Sequence, residues 1–304
     1  MSKFRTNHQR GGGSGMVARV GIFALILGAL ALLFGNDSLT QLFEQVQDYA
    51  PDDPTAEPDE ETFYLPDGGT GELIRHRYYT LNYNEEHEQA EWVAYELTRE
   101  RLYRPNVERT NDFREDPLVS TGTASWDDYL HSGYDRGHLA PAGDMNFAKS
   151  AMSESFFMSN ISPQNRAFNG GAWRELEENV RDWARENKKL YVVTGPDLRK
   201  PPLGIIGRNT RVSVPAAYFK VLLDLTEPDY KAIGFYMPNE KLEEPLYEFA
   251  MSVDMVERVT GLDFFGDLLE PDLEQQLESR FEPDDWGFDQ RRFERRVYEW
   301  NLRE

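Results

Sequence analysis

Cysteine is absent from the 304 residues, which excludes disulfide bonds and thiolate metal sites without arguing against export. Basic residues are scarce as well. The chain has 33 lysines and arginines against 54 aspartates and glutamates, which gives a formal net charge of −21 at pH 7. A polyanionic substrate would be repelled by such a protein unless its basic residues were concentrated in one region.

The charge is distributed unevenly along the chain. Residues 125–220 contain thirteen lysines and arginines against eleven acidic residues, a net charge of about +2. The excess of acid lies in residues 36–61 and in the last forty residues. Because charges more than about 10 Å apart are largely screened at moderate salt, the middle region can still bind an anionic substrate. The expected binding is modest and sensitive to salt.

Hydrophobic and acidic segments precede the predicted folded domain. Residues 1–15 form a basic, glycine-rich N-terminal segment, and residues 16–35 include a run, 20–34, without a polar side chain. This run predicts a membrane anchor, and because basic residues precede it and acidic residues follow it, the catalytic domain is predicted to be exported, periplasmic or extracellular. Residues 29–31 resemble a cleavage site, so a protein secreted after removal of a signal peptide is the alternative. Nine acids and no basic residue predict an acidic linker at 36–61.

The folded domain is predicted at residues 62–266 and is followed by an acidic C-terminal tail at 267–304. Apolar and β-branched patterns predict strands at 74–83, 90–98, 189–196, 216–225 and 231–237. Helical spacing of apolar residues predicts helices at 147–157, 169–185 and 242–259. Strands and helices interleave without a repeat, which predicts an α+β fold with a central antiparallel sheet flanked by helices.

The run Asp-Arg-Gly-His at residues 135–138 combines a permanent cation with a titratable base. Arg136 and His138 would lie on the same face of a strand, because successive side chains alternate between its faces. A neutral imidazole can accept a proton from water at physiological pH, whereas the fixed charge of a guanidinium suits phosphate oxygens. Alone, the run could be a turn with a surface salt bridge, and Asp135 is expected to orient a neighbour or to cap a turn.

A second group of polar side chains lies on the predicted helix 169–185. Its apolar stripe, which should be buried, consists of Ala172, Leu176, Val180, Trp183 and Ala184. Asn169, Trp173, Glu177 and Arg181 are spaced by four residues and should form a line along the helix. Such a row can ligate a hard cation, hold its waters and contact a phosphate. Glu177 and Arg181 could also be a simple helical ion pair, and Trp173 favours core packing.

Together with the run Asn-Ile-Ser-Pro-Gln at residues 160–164, these motifs resemble the DNA/RNA non-specific endonuclease family, which has the ββα-metal (His-Me finger) fold. The resemblance covers residues 62–266. It implies that His138 is the general base and that Asn169 is the direct protein ligand of Mg²⁺, for which Mn²⁺ is a possible substitute. The other implied roles are a holder of metal-bound water at Glu177, phosphate-facing groups at Arg136 and Arg181, and groups beside the substrate at Asn160 and Gln164.

The resemblance also implies the reaction, which is metal-dependent hydrolysis of DNA and RNA with low sequence selectivity. The family places a further arginine upstream, for which Arg109 and Arg114 are both candidates. A metal-dependent phosphodiesterase acting on small or lipid-linked phosphodiesters is the alternative enzyme, and a non-catalytic interaction protein that retains the scaffold is the alternative outside enzymology. The predicted partners are DNA and RNA as substrates and a membrane through the N-terminal segment. The oligomeric state is open, with a homodimer as one possibility.

Overall fold

The computed structural model describes residues 64–208 and 210–301. The strands in these residues are β1 (Glu72–Arg75), β2 (Thr80–Asn84), β3 (Gln89–Thr98), β4 (Asp135–His138), β5 (Ile161–Gln164), β6 (Lys189–Pro196), β7 (Gly204–Ile206), β8 (Val212–Val214), β9 (Ala217–Asp224), β10 (Lys231–Pro238) and β11 (Ala250–Met251). The α-helices are α1 (Arg99–Leu102), α2 (Lys149–Glu154), α3 (Arg166–Phe168), α4 (Arg174–Asn187), α5 (Val253–Thr260), α6 (Pro271–Glu278) and α7 (Gln290–Arg295). Single 3-10 or π-helical turns lie at Trp126–Tyr129, Met158–Asn160, Asn169–Trp173, Leu246–Phe249, Pro283–Asp285 and Arg296–Trp300.

Seven strands form one antiparallel sheet in the order β1-β2-β3-β6-β9-β10-β11. Its central strands are covered on both faces. Leu222 of β9 packs in a core with residues of α4, whereas its neighbours Val221 and Leu223 pack in a second core with residues of α5 and α6. The alternation of side chains along a strand explains the division. The predicted α+β fold with a central antiparallel sheet flanked by helices is confirmed.

Two predicted elements differ from the structure. The strand predicted at 74–83 is a pair of strands, β1 and β2, joined by a tight turn. The helix predicted at 242–259 is a 3-10 turn, then β11, and then α5. Apolar residues of this segment belong to opposite faces of the sheet, since Leu246 packs in the core of α4 and Val253 in the core of α5. The chain must therefore cross the sheet edge, which a single straight helix cannot do.

The motifs singled out in the sequence lie on a hairpin and the helix that follows it. β4 and β5 form a separate two-stranded antiparallel sheet in which Asp135 lies opposite Gln164 and His138 opposite Ile161. The predicted apolar stripe of the helix is buried against the central sheet, as expected, at Ala172, Leu176, Val180, Trp183 and Ala184. This contact fixes the helix relative to the rest of the domain.

Residues 267–301, which we call the C-terminal segment, fold back against the domain. Trp286 packs edge-on against Trp183 of α4, with ring centroids 5.2 Å apart. Arg296 is fully buried and donates a hydrogen bond to the carboxylate of Glu175, also on α4. The helix is therefore held between the central sheet and the C-terminal segment, although the acidic composition of this segment predicted only a tail.

Candidate active site

Arg136 and His138 project from the same side of β4, as their spacing predicts. The guanidinium carbon of Arg136 lies 4.3 Å from the centroid of the Phe113 ring. The imidazole of His138 contacts the same ring, with centroids 5.7 Å apart, and meets the Phe156 ring edge-on at 4.8 Å. Phe113, which the sequence did not single out, therefore packs against both groups and helps to shield the imidazole from solvent.

His138 is held as a neutral base. The residue is 8% exposed. Burial lowers its pKa from 6.5 to about 3, and the positive charges of Arg109 and Arg136 act in the same direction. The imidazole is therefore unprotonated at physiological pH, the form that accepts a proton. Its Nε2 atom is buried and has no hydrogen-bond partner in residues 64–208 or 210–301. Because an unpaired buried polar atom is costly, a water molecule or a substrate oxygen would be stabilised there.

Gln164 and Asn160 are not exposed to a substrate. Gln164 is fully buried, and its side-chain amide occupies the space beside Gly137, where an added Cβ would lie only 2.1 Å from Gln164 Oε1. Asn160 is fully buried as well, and its amide donates to the carbonyls of Ala140 and Ser155 and accepts from the Ala140 amide. The expectation that the two amides lie beside the substrate stays a prediction. Asn160 supports the backbone next to β4, whereas both amide atoms of Gln164 are buried without a hydrogen-bond partner among the described residues.

Asn169 is held in one orientation by Asp135. Its Nδ2 donates to Asp135 Oδ2 at 3.1 Å, and Arg166 pairs with the other carboxylate oxygen at 3.3 Å. Since the amide nitrogen is used in this way, the amide oxygen is the atom of the Asn169 side chain that remains for another ligand. An amide oxygen is a ligand that Mg²⁺ and Ca²⁺ accept. The position of Asn169 thus fits a hard divalent cation, and Asp135 orients its neighbour as predicted.

The predicted line of side chains along the helix is interrupted. Asn169–Trp173 form a π-helical turn rather than the first turn of a regular α-helix, and Gly171 has a non-helical backbone with φ −108° and ψ −109°. Trp173 is consequently turned into the core, where it is fully buried against Phe168 and Tyr218. Asn169 is thereby separated from the register of α4, which begins at Arg174 and carries Glu177 and Arg181.

Glu177 is half-buried, and Arg181, Lys220 and Asp144 are the charges that act on it most strongly. Burial raises the pKa of its carboxyl, against the opposing positive charges of Arg181 and Lys220. Lys220 comes from β9 and is 1% exposed, with its Nζ 4.8 Å from the Trp173 ring centroid. Burial lowers the pKa of this ammonium. Lys220 was not predicted to belong to the site, although a lone lysine in an apolar strand could have indicated it.

Arg181 is committed to an internal partner. Its Nη1 donates to Asp144 Oδ1 at 2.8 Å, and Tyr95 Oη donates to the other oxygen of the same carboxylate at 2.8 Å. Asp144 is buried, and the Arg181 side chain retains only 16% of its exposure. The guanidinium of Arg181 is thus paired with Asp144, and the expectation that it faces the phosphate stays a prediction. The pair fixes α4 to the loop that follows β4.

A groove of about 720 Å³ lies beside this arrangement. Arginines 109, 136 and 166 line it together with Asn169, and Asp135 is the one carboxylate among its lining residues. The groove is therefore cationic although the whole chain is strongly acidic. Exposed Trp126 and Leu130 add apolar surface to its wall.

The structure distinguishes the two upstream arginines. Arg109 lines the groove and influences the charge states of both His138 and Glu177. Arg114 instead pairs with Asp112 at 2.7 Å and donates to the Ser153 carbonyl at 2.9 Å. Arg109 is therefore the arginine available to a bound anion.

Comparison with known proteins identifies the family. The sequence pattern of the DNA/RNA non-specific endonucleases matches residues 60–270. The chain belongs to this family. Metal dependence is a general property of the family. The predicted ββα-metal (His-Me finger) fold is confirmed as well, since a solved structure of EndoG in complex with EndoGI matches with a TM-score of 0.61 and 31% identity over 69% of this chain and 90% of that chain.

Two relatives show how far the similarity extends. The chain is 38% identical to the mitochondrial nuclease EXOG of Danio rerio over 229 residues, which covers 69% of this chain and 65% of that protein. It is 36% identical to the mitochondrial endonuclease G of Homo sapiens over 214 residues, covering 66% of this chain and 72% of the relative. The chain thus spans slightly less than two thirds of the length of the Danio rerio protein.

The predicted location is wrong. A membrane-anchored protein with an exported catalytic domain, or a secreted form of it, is contradicted by relatives that are named mitochondrial nucleases. Among residues 64–208 and 210–301, no helix has the length and apolar character needed to cross a bilayer. The segment at 16–35 on which the prediction rested lies outside the described residues, as do the segments at 1–15 and 36–61.

Proposed function

We propose that this protein is an endonuclease that hydrolyses phosphodiester bonds in DNA and RNA, uses a divalent cation, with Mg²⁺ preferred and Mn²⁺ accepted, and has little sequence selectivity. One observation carries the proposal. A histidine kept neutral by burial stands on the same strand face as Arg136, next to a cationic groove in which the Asn169 amide oxygen is oriented by Asp135. Base, phosphate-binding cation and hard metal ligand are the groups that phosphodiester hydrolysis requires.

Each residue of the site has a distinct role in the proposed hydrolysis. His138 accepts a proton from the attacking water at its unpaired Nε2 atom. Arg136 and Arg109 bind the non-bridging phosphate oxygens, where their fixed charges stabilise the negative charge that grows in the transition state. Asn169 would hold the divalent cation, which when bound supplies positive charge near the leaving oxygen. Phe113 orients both Arg136 and His138 through ring contacts.

Glu177 and Arg181, both on α4, support the proposed active site. We assign Glu177 to the water shell of the cation, because it is a carboxylate on the helix that follows Asn169 and it shares the electrostatic environment of Arg109. Arg181 is a positioning residue, since its ion pair with Asp144 fixes α4. The raised pKa of Glu177 fits a site in which an added positive charge restores the ionised form.

Low sequence selectivity is consistent with the lining of the groove. Its cations suit the phosphate backbone, which carries no sequence information. The exposed ring of Trp126 suits stacking of a nucleobase, which is tolerant of sequence because every base has a π face. Neither kind of contact distinguishes ribose from deoxyribose, which supports the proposal of both DNA and RNA as substrates.

Digestion of supercoiled plasmid and of a long RNA, each with Mg²⁺ or with EDTA, tests the proposed function. We expect nicking and linearisation of the plasmid and loss of the RNA with the metal, and neither with EDTA. A parallel assay on bis(p-nitrophenyl) phosphate separates the alternative enzyme. Turnover of the small diester with intact plasmid and RNA would reject the endonuclease in favour of a small-molecule phosphodiesterase.

Substitution of Asp135 tests the orientation of the metal ligand. In Asp135→Ala the Asn169 amide loses its hydrogen-bond acceptor and can rotate, so we expect the Mg²⁺ concentration for half-maximal cleavage to rise about 10–100-fold. Excess Mg²⁺ should restore part of the rate. Asp135→Asn keeps one acceptor oxygen and should show a smaller rise. An unchanged metal requirement in Asp135→Ala would remove Asp135 from this role.

The pH dependence of cleavage tests the neutral state of His138. Because its pKa is lowered from 6.5 to about 3, protonation of the imidazole in the folded enzyme begins well below pH 6.5. We therefore expect kcat/KM at saturating Mg²⁺ to remain flat as the pH falls through 6.5. Tryptophan fluorescence at each pH identifies any loss caused by unfolding. In the folded enzyme at saturating Mg²⁺, where the bound cation keeps Glu177 ionised, a twofold loss near pH 6.5 would show that His138 titrates as an ordinary histidine.

A further inference from the structure

Three carboxylates meet on the opposite side of the central sheet from α4. Asp254 and Glu257 are one turn apart on α5, and Glu278 is the last residue of α6. One oxygen from each lies within 4.8 Å of the others. Both helices contribute residues to the second hydrophobic core, which contains no residue of α4. The cluster is therefore separate from the groove and from Asn169.

Glu278 shows that the cluster is not an ordinary exposed acidic patch. Its residue is only 3% exposed, and its Oε1 atom is buried without a hydrogen-bond partner anywhere in the described part of the chain. Within that same part, no lysine or arginine forms a salt bridge with any of the three carboxylates. Glu257, Glu274 and other acids add negative charge around Glu278. Either a proton or a cation must offset this repulsion.

We propose that Asp254, Glu257 and Glu278 form a second divalent cation site, and that its cation is Ca²⁺. All three ligands are carboxylate oxygens, which hard cations prefer, whereas zinc sites in proteins are built largely from nitrogen and sulfur ligands. Ca²⁺ tolerates irregular geometry and completes its shell with waters, while Mg²⁺ demands a near-ideal octahedron. The three carboxylates come from two helices; Asp254 and Glu257 are half-buried and Glu278 is buried. This irregular arrangement suits Ca²⁺ better than Mg²⁺.

The position of the site indicates a structural role. α5 lies inside the region that matches the family, residues 60–270, whereas α6 begins at Pro271 beyond it. A cation shared between the two helices would fasten the start of the C-terminal segment to the domain. The proposed calcium site takes no part in the catalytic mechanism. Binding of Ca²⁺ there would therefore be independent of cleavage.

Calcium titration in an Asn169→Ala background tests the proposal, because this background lacks the proposed catalytic metal ligand. By isothermal titration calorimetry we expect one Ca²⁺ per chain, and by thermal melting a rise in Tm with added CaCl₂. Glu278→Gln in the same background should lose both responses. Asp272→Asn, at an exposed acid in the first turn of α6, is the matched control and should retain both responses.

Asp254→Asn provides a second variant if Glu278→Gln does not fold, and it should weaken calcium binding at least tenfold. Absence of a calcium isotherm from folded Asn169→Ala protein would overturn the proposal. So would calcium binding that persists unchanged in Glu278→Gln or Asp254→Asn. Failure of plasmid cleavage would leave this inference standing, because calorimetry and melting do not depend on catalysis.

Discussion

Replacement of His138 by alanine is expected to reduce kcat for plasmid nicking by a factor of about 10²–10⁴, the contribution that a positioned general base makes. The reason is local. No other histidine among the described residues shares a strand face with Arg136, and nothing else beside the groove combines a neutral imidazole with a buried, unpaired nitrogen. The measurement is initial nicking rate at saturating Mg²⁺, with KM determined separately.

His87→Ala is the matched control for this variant. His87 is half-buried and bonded to Ser213 at 3.0 Å, away from the groove, so its loss should leave kcat within about twofold of the unchanged protein, as expected for a residue with no transition-state contact. Urea unfolding of both variants separates catalysis from stability. A His138→Ala protein that is folded and cleaves at the original rate would exclude this residue as the base.

The chemistry of the site could be predicted from local patterns because a few short-range rules determine it. Arg136 and His138 share a face through strand alternation alone, and this holds wherever the strand lies. The stripe on α4 follows from helical spacing in the same way. A hairpin followed by an amphipathic helix is thus encoded in residues near one another in sequence.

Which polar groups face outward could not be predicted, because exposure depends on distant packing. Asn160 and Gln164 have the residue type of substrate-binding amides, yet both are fully buried. Arg181 has the charge to bind phosphate, but its guanidinium forms an ion pair with Asp144. The change of register at Gly171 arises from a single non-helical residue, which periodicity does not detect.

Composition alone predicts a tail for the C-terminal segment, because it does not reveal the residues that anchor this segment to the domain. Its many exposed acids dominate the sequence pattern, whereas the contacts that hold it depend on a few large side chains. Trp286 enters the main core, Trp300 is buried, and Arg296 is sealed completely. A small number of buried side chains can order a segment when each is large and has its polar groups paired. The average hydropathy of the segment therefore does not predict whether it is folded.

Replacement of Arg296 by alanine is expected to lower the free energy of unfolding by about 3–5 kcal/mol, the cost of removing one member of a buried ion pair. Arg296 donates to the Glu175 carboxylate and to the carbonyls of Leu242 and Glu244. Its loss would leave Glu175, itself buried, as an unpaired charge, and would leave two carbonyl groups without this donor. Urea denaturation followed by tryptophan fluorescence measures the change.

Two comparisons decide whether the pair or the mere truncation of a side chain is responsible. Arg291→Ala, at an exposed arginine on α7, should change the unfolding free energy by no more than about 0.5 kcal/mol, as surface substitutions generally do. Arg296→Met combined with Glu175→Leu removes both charges and should recover much of the loss, because an apolar pair can replace a buried ion pair. If Arg296→Ala were as stable as Arg291→Ala, the C-terminal segment would contribute nothing through this contact, and the support it gives to α4 would come from its other contacts, such as Trp286 against Trp183 and Arg292 with Asp182.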